Sequence, residues 1–178
     1  MNETGASMPA KIRPGDKRMD NRFLAIFAAT TFILGGAASG AEVKRTLEID
    51  GDKAQLWAKL GGWCAISDWH PAIAKCEEKT EGGKKRRVLT TKDGGVIKET
   101  QLTATETGYT YSIDESPLPV ANYNASFAIV PVKDDKEEIN VVWSAKFDPK
   151  GATEAEAKKV IDGIFKAGLD EIEKKQLK

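Results

Sequence analysis

The C-terminal segment constrains the fold more than any other part of the chain. Val160, Ile161, Ile164, Phe165, Gly168, Leu169 and Ile172 recur every three to four residues, which sets them on one wide apolar face of a long helix. Thr153 and Glu156 stand at capping-box spacing near its start, just after Pro149. Lys174, Lys175 and Lys178 stand at its end, where cations favour the helix dipole. Such a face must be buried against something, and most of the preceding chain reads as strands.

The strand patterns are Val43–Asp50, Ile73–Lys79, Arg86–Thr91, Val96–Ala104, Tyr109–Asp114, Asn122–Val130 and Ile139–Phe147. Turn-forming stretches separate the last six: Glu81-Gly82-Gly83, Lys92-Asp93-Gly94-Gly95, Thr107-Gly108, Pro117-Leu118-Pro119 and Lys133-Asp134-Asp135-Lys136. Their close spacing predicts an antiparallel meander. Between the first two strands, Asp52 and Gln55 predict a capped helix with Leu56, Trp57 and Leu60 as its stripe, ended by Gly61-Gly62. Trp63–Ile66 reads as a second, short helix. The expected class is α+β: a curved antiparallel sheet of about seven strands wrapped on the long C-terminal helix.

The first forty residues read differently. After Arg22 comes the uncharged run Phe23–Leu34, then small residues through Ser39, Gly40 and Ala41. A basic flank, a short apolar core and a small-residue exit predict a secretory signal peptide over residues 1–41, cleaved after Ala41. The run falls short of the roughly 20 residues that cross a bilayer, so no stable membrane insertion is expected once the leader is gone. The expected location is the bacterial periplasm or the exterior, with one domain over 42–178.

The whole chain has 178 residues, with 27 Lys plus Arg against 27 Asp plus Glu. The leader carries Lys11, Arg13, Lys17, Arg18 and Arg22 against Glu3, Asp16 and Asp20, so its removal leaves a slight acidic excess. That balance argues against a nucleic-acid partner, which requires clustered phosphate-neutralising charge. No Gly-rich phosphate loop, G-x-S-x-G elbow or H-E-x-x-H pair occurs.

Cys64 and Cys76 both follow the leader, and an even count in an oxidising compartment favours a disulfide between them. Two alternatives stay open on residue types alone. Cys64, His70 and Cys76 could hold a metal, although the spacing matches no compact ligand pattern and a fourth ligand is missing. A cysteine could instead act as a nucleophile beside His70. No metal and no cofactor is expected.

Trp69-His70-Pro71 and Gly94-Gly95-Val96-Ile97-Lys98-Glu99 resemble the polyketide cyclase/dehydrase family of the START-like, helix-grip (SRPBCC) superfamily. Tyr109–Ile113, Leu118–Tyr123, Val142–Phe147 and Gly168-Leu169 continue the resemblance, which spans about residues 43–175. It is similar to the exported MxaD-like branch, associated with periplasmic methanol oxidation, in its leader and in the Trp69–Pro71 and Leu118–Tyr123 segments. The resemblance implies a cavity between sheet and long helix that takes a small apolar or amphipathic molecule, and it implies no single reaction. It leaves three functions in view: a carrier of a small hydrophobic ligand, a cyclase- or dehydratase-type enzyme, and an accessory protein docking on a periplasmic redox enzyme.

Period-two reasoning selects the residues facing that cavity. Val141, Trp143, Ala145 and Phe147 share one face of the last strand, Tyr123, Ala125, Phe127 and Ile129 one face of the strand before, and Tyr109, Tyr111 and Ile113 one face before that. Lys98 is costly to bury, so Glu99 turns inward with Ile97 and Gln101, and across the Lys92–Gly95 turn it lies near Arg87. Trp69, His70, Arg87, Glu99, Tyr109, Tyr111, Tyr123, Phe127, Trp143 and Phe165 are the candidate ligand contacts. His70, Glu99 and Tyr111 are the candidate acid–base groups, with Asp68 placed to orient His70. Against these stands a purely structural reading: Trp69 plugs the core, His70-Pro71 shapes a turn, and Arg87–Glu99 is a cross-strand ion pair.

Overall fold

The computed structural model describes residues 40–132 and 138–176. The leader through residue 39, the turn expected at Lys133–Lys136 and the terminal Lys178 lie outside the described residues. The elements run β1 (Ala41–Asp50), α1 (Lys53–Leu60), α2 (Ile66–Trp69), β2 (Ile73–Glu81), β3 (Lys84–Thr91), β4 (Val96–Ala104), β5 (Gly108–Glu115), β6 (Val120–Pro131), β7 (Glu138–Pro149) and α3 (Glu154–Gln176).

The strands form one antiparallel sheet in the order β1-β7-β6-β5-β4-β3-β2. Helices α1 and α2 carry the chain from β1 at one edge to β2 at the other, and the meander returns strand by strand to pair β7 with β1. The buried faces of the sheet and of α3, through Ala157, Ile161, Phe165, Leu169 and Ile172, form one core. This is the expected helix-grip arrangement.

Local chemistry sets the boundaries. The Asp52 carboxylate accepts from Gln55 N at 2.8 Å and starts α1. Thr153 and Glu156 close the capping box of α3 from both sides, with Thr153 N donating to Glu156 Oε2 at 2.8 Å and Glu156 N to Thr153 Oγ1 at 3.3 Å. Irregular registers at Ile73/Lys75, Lys98/Glu99, Gln101/Thr103 and Ala121/Asn124 bend the sheet around the helix.

The structure corrects two local expectations and explains two further positions. The second short helix is Ile66–Trp69 rather than Trp63–Ile66, because Trp63–Ala65 form the turn that feeds it. Val160 lies outside the buried face of α3 and is 38% exposed. Thr100 keeps the outward face expected of it, paired with Arg86 and Ser112, but is buried there and donates to Asp114 Oδ2 at 2.6 Å. Arg45, which interrupts the apolar series of β1, makes two 2.7 Å bonds to Asp162 and clips the strand to α3. That contact draws the Asp162 carboxyl below its ordinary range.

Candidate functional site

The α2–β2 segment, the sheet and α3 enclose a cavity lined by Ile66, His70, Ile73, Leu89, Ile97, Glu99, Tyr111, Ile113, Leu118, Tyr123, Trp143, Ile161, Ile164 and Phe165. Its volume open to a water centre is about 40 Å³, room for a few waters and far below the roughly 300–1,000 Å³ of small-molecule pockets. Of the ten candidate contacts, His70, Glu99, Tyr111, Tyr123, Trp143 and Phe165 line it. Trp69, Arg87, Tyr109 and Phe127 do not; they pack behind the wall, with Trp69 stacked on Phe127 at 5.3 Å between ring centres.

Adjacent strands bring Arg87 opposite Glu99, and Arg87 Nε donates to Glu99 Oε2 at 2.5 Å. Arg87 Nη1 also donates to the Trp63 carbonyl, and the guanidinium carbon sits 3.9 Å from the centre of the Trp63 ring. Burial works against both charges. For Arg87 it is more than offset by Glu99, so the guanidinium stays charged. For Glu99 burial outweighs Arg87 and holds the carboxyl above its ordinary range.

The phenols form a second polar group. Trp143 Nε1 donates to the Tyr111 hydroxyl at 2.9 Å, and the Tyr111 and Tyr123 rings pack with centres 6.0 Å apart. Burial pushes both phenols upward, Tyr111 far above its ordinary value, so both stay neutral.

His70 is 3% exposed. Its Nδ1 accepts from Ala72 N at 3.2 Å, which leaves the proton on Nε2, 3.1 Å from the Ile164 carbonyl. Burial, then the charge of Lys92, lowers its pKa, against the pull of the Ile164 carbonyl. The imidazole is thus a neutral bridge from the α2–β2 turn to α3. Asp68, expected to orient it, is exposed and does not; its carbonyl instead accepts from Lys175 Nζ at 2.7 Å. His70, Glu99 and Tyr111 are each already engaged with protein partners.

Cys64 and Cys76 are disulfide-bonded, which ties the α1–α2 connection to β2 beside the Arg87–Trp63 contact. The pairing removes both thiols as nucleophiles or metal ligands. Among the described residues no group of three or more His, Cys, Asp or Glu could hold a metal ion.

The cavity also takes residues that strand periodicity did not single out. Ile161 and Ile164 were legible on the helix face, but nothing local marked Leu118 as a lining residue, because it sits in the loop before β6. The inward turn of both Val120 and Tyr123 depends on the irregularity at Ala121/Asn124, where Asn122 adopts φ 50, a conformation asparagine tolerates.

A family model described as polyketide cyclase / dehydrase and lipid transport matches residues 40–176. Among solved structures, the protein XoxI from Bacillus cereus is 32% identical, covers 77% of this chain and 96% of its own, and has a TM-score of 0.71. That likeness supports the expected closeness to MxaD-like members. The Zhui aromatase/cyclase from Streptomyces sp. R1128 shares the fold at 17% identity and TM-score 0.56, over 74% of this chain and 93% of its own. A START superfamily protein from Mycobacterium smegmatis does so at 17% identity and TM-score 0.61, over 78% of this chain and all (100%) of its own. No curated protein matches the chain.

Proposed function

Because the chain belongs to the polyketide cyclase / dehydrase and lipid transport family, we propose that it is an exported protein that binds a small apolar or amphipathic molecule between its sheet and α3. The observation that carries this reading is the apolar cavity with Glu99, Tyr111 and Tyr123 on its wall. A few polar groups in an apolar surround orient a ligand rather than hold it by charge alone.

Export is supported by the leader-like N-terminal sequence and by the disulfide, which persists in oxidising compartments. Among the described residues no helix is long and apolar enough to cross a membrane. β1 begins at Ala41, which is buried and paired with Phe147, so cleavage after Ala41 would start the mature chain inside that strand, at Glu42.

Turnover of the cyclase or dehydratase type is the weaker reading. A general acid or base needs a titrating group free to reach substrate, and His70 already uses both ring nitrogens. The small cavity favours the accessory role, docking on a periplasmic dehydrogenase, as the second reading.

The test is native mass spectrometry of protein isolated from the periplasm, followed by denaturing extraction. A reproducible small molecule at one equivalent supports ligand binding and gives its chemical class. A clean apo mass moves the assignment to the accessory role, and a chain that is never recovered outside the cytoplasm overturns export.

A further inference from the structure

The last rung between β5 and β6 is Ser112↔Asn124, yet β5 runs on to Glu115 and β6 starts back at Val120. Both stay paired on their other sides. Ile113 pairs with Glu99 and Glu115 with Lys98 of β4, while Val120 and Ala121 pair with Pro149 and Asp148 of β7. The two strands therefore diverge, and a groove of about 460 Å³ opens between them. Ile113 and Tyr123 belong to the lining of this groove and to that of the inner cavity, so the two spaces share a wall.

We propose that groove and cavity are two halves of one site for an amphipathic molecule with a slender apolar end and a neutral, hydroxyl-rich head. The proposal rests on the ligand-binding reading above. Volume decides the division: the 40 Å³ cavity can hold only the end of a molecule, whereas the 460 Å³ groove has the size of a ligand pocket. Chemistry gives the polarity of each half. The cavity is apolar apart from a few groups, whereas the groove carries Ser112, Asn122, Asn124 and Lys150. Asn122 Nδ2 and Asn124 Nδ2 each already donate once, to Asp148 Oδ2 at 2.7 Å and to the Asn122 carbonyl at 3.1 Å, which leaves each amide a second N–H and its oxygen. Glu115 is paired with Lys98 at 2.6 Å, which leaves Asp114 against Lys150 and no surplus of positive charge to hold an anionic head. Tyr123, between the halves, packs its ring against Tyr111 and Phe147, each with centres 6.0 Å apart, so that ring can serve as an apolar collar.

The test is an NMR titration of the chain as isolated from cells, with backbone amides and isoleucine methyls labelled. The probe is n-hexyl-β-D-glucoside below its micelle concentration, with glucose and hexanoate as controls. Saturable shifts at Ser112 and Asn124 together with Ile97 and Ile161 are expected, with glucose and hexanoate at least about tenfold weaker, the loss of roughly one good contact. Asn124→Lys in the groove and Ile113→Phe at the shared wall should each weaken both sets of shifts together. Shifts confined to Ile97 and Ile161, or unaffected by both variants, overturn the two-part site while leaving ligand binding in the cavity standing. Shifts confined to the groove overturn the two-part site as well. No shift at either place overturns the two-part site, while ligand binding in the cavity is decided by the native mass spectrum.

Discussion

Arg87 and Glu99 face each other across β3 and β4 with their nitrogen and oxygen 2.5 Å apart, and the Arg87 side chain is 0% exposed. A charged pair taken out of water needs partners within the protein, and Arg87 finds them in Glu99, the Trp63 carbonyl and the face of the Trp63 ring, while its Nη2 is buried without a hydrogen-bond partner among the described residues. The pair therefore joins the sheet to the α1–α2 connection as well as one strand to the next.

Removing one partner strands the other charge in the core. Glu99→Ala and Arg87→Ala should each lower the unfolding free energy by about 3–5 kcal/mol, whereas the double replacement Arg87→Met/Glu99→Leu should recover most of that loss. Urea unfolding of the three variants measures it. Additive losses in the double variant would show that the two side chains act independently.

Gly168 is the contact point of α3 with the aromatic cluster. A Cβ there would lie 2.7 Å from His70 Cδ2, 2.9 Å from Trp143 Cζ3 and 3.0 Å from Trp69 Cζ3, while a Cβ at Gly163 would meet nothing within 4 Å. Gly168→Ala should cost about 1–3 kcal/mol through overpacking, and Gly163→Ala should stabilise by up to about 1 kcal/mol through helix propensity. Thermal melts of the two variants should move in opposite directions.

The neutral form of His70 gives the fold a pH dependence. In the unfolded chain the imidazole takes up a proton near its ordinary value of 6.5, whereas burial keeps the folded-state value lower. Between the two values the unfolded state binds more protons, so this stabilisation is whole above pH 6.5 and is lost as the pH falls toward the folded-state value. Melting temperatures measured from pH 7.5 down to 5 should decline in the native protein. The decline should be shallower in His70→Gln, and an equal slope in both would assign it to other groups.

The Cys64–Cys76 bridge closes a short loop, its ends 12 positions apart in sequence. In the chain-entropy picture its loss costs about 3 kcal/mol. Cys64→Ser/Cys76→Ser should show that decrease in urea unfolding, and the indole emission of Trp63, beside the bridge, should change before global unfolding. No change in stability would mean that the α1–α2 connection is held without the bridge.

Much of this architecture was legible because it rests on local rules. A strand exposes alternate side chains and a helix every third or fourth, so the inward sets on β5, β6 and β7 and the face of α3 followed from residue order. The opposition of Arg87 and Glu99 followed in the same way, since a hairpin with a known turn has a computable register. What residue order did not carry lies in contacts between elements. Thr100 is buried on the outer face by its bond to Asp114 on the next strand, and the reason for Arg45 in an apolar series lay on α3, more than a hundred positions away in sequence, at Asp162.

By itself, then, the sequence determined the order of elements, their caps, the inward faces and the pairing available to two cysteines, because each depends on neighbours close along the chain or on composition. Only the tertiary structure decided the rest. It made His70 a neutral bridge to Ile164, set Trp69 and Phe127 behind the cavity rather than on it, shrank that cavity to about 40 Å³, and opened the groove between β5 and β6. These depend on how side chains distant in sequence divide a shared volume and a shared set of hydrogen-bond partners, and periodicity carries no information about either.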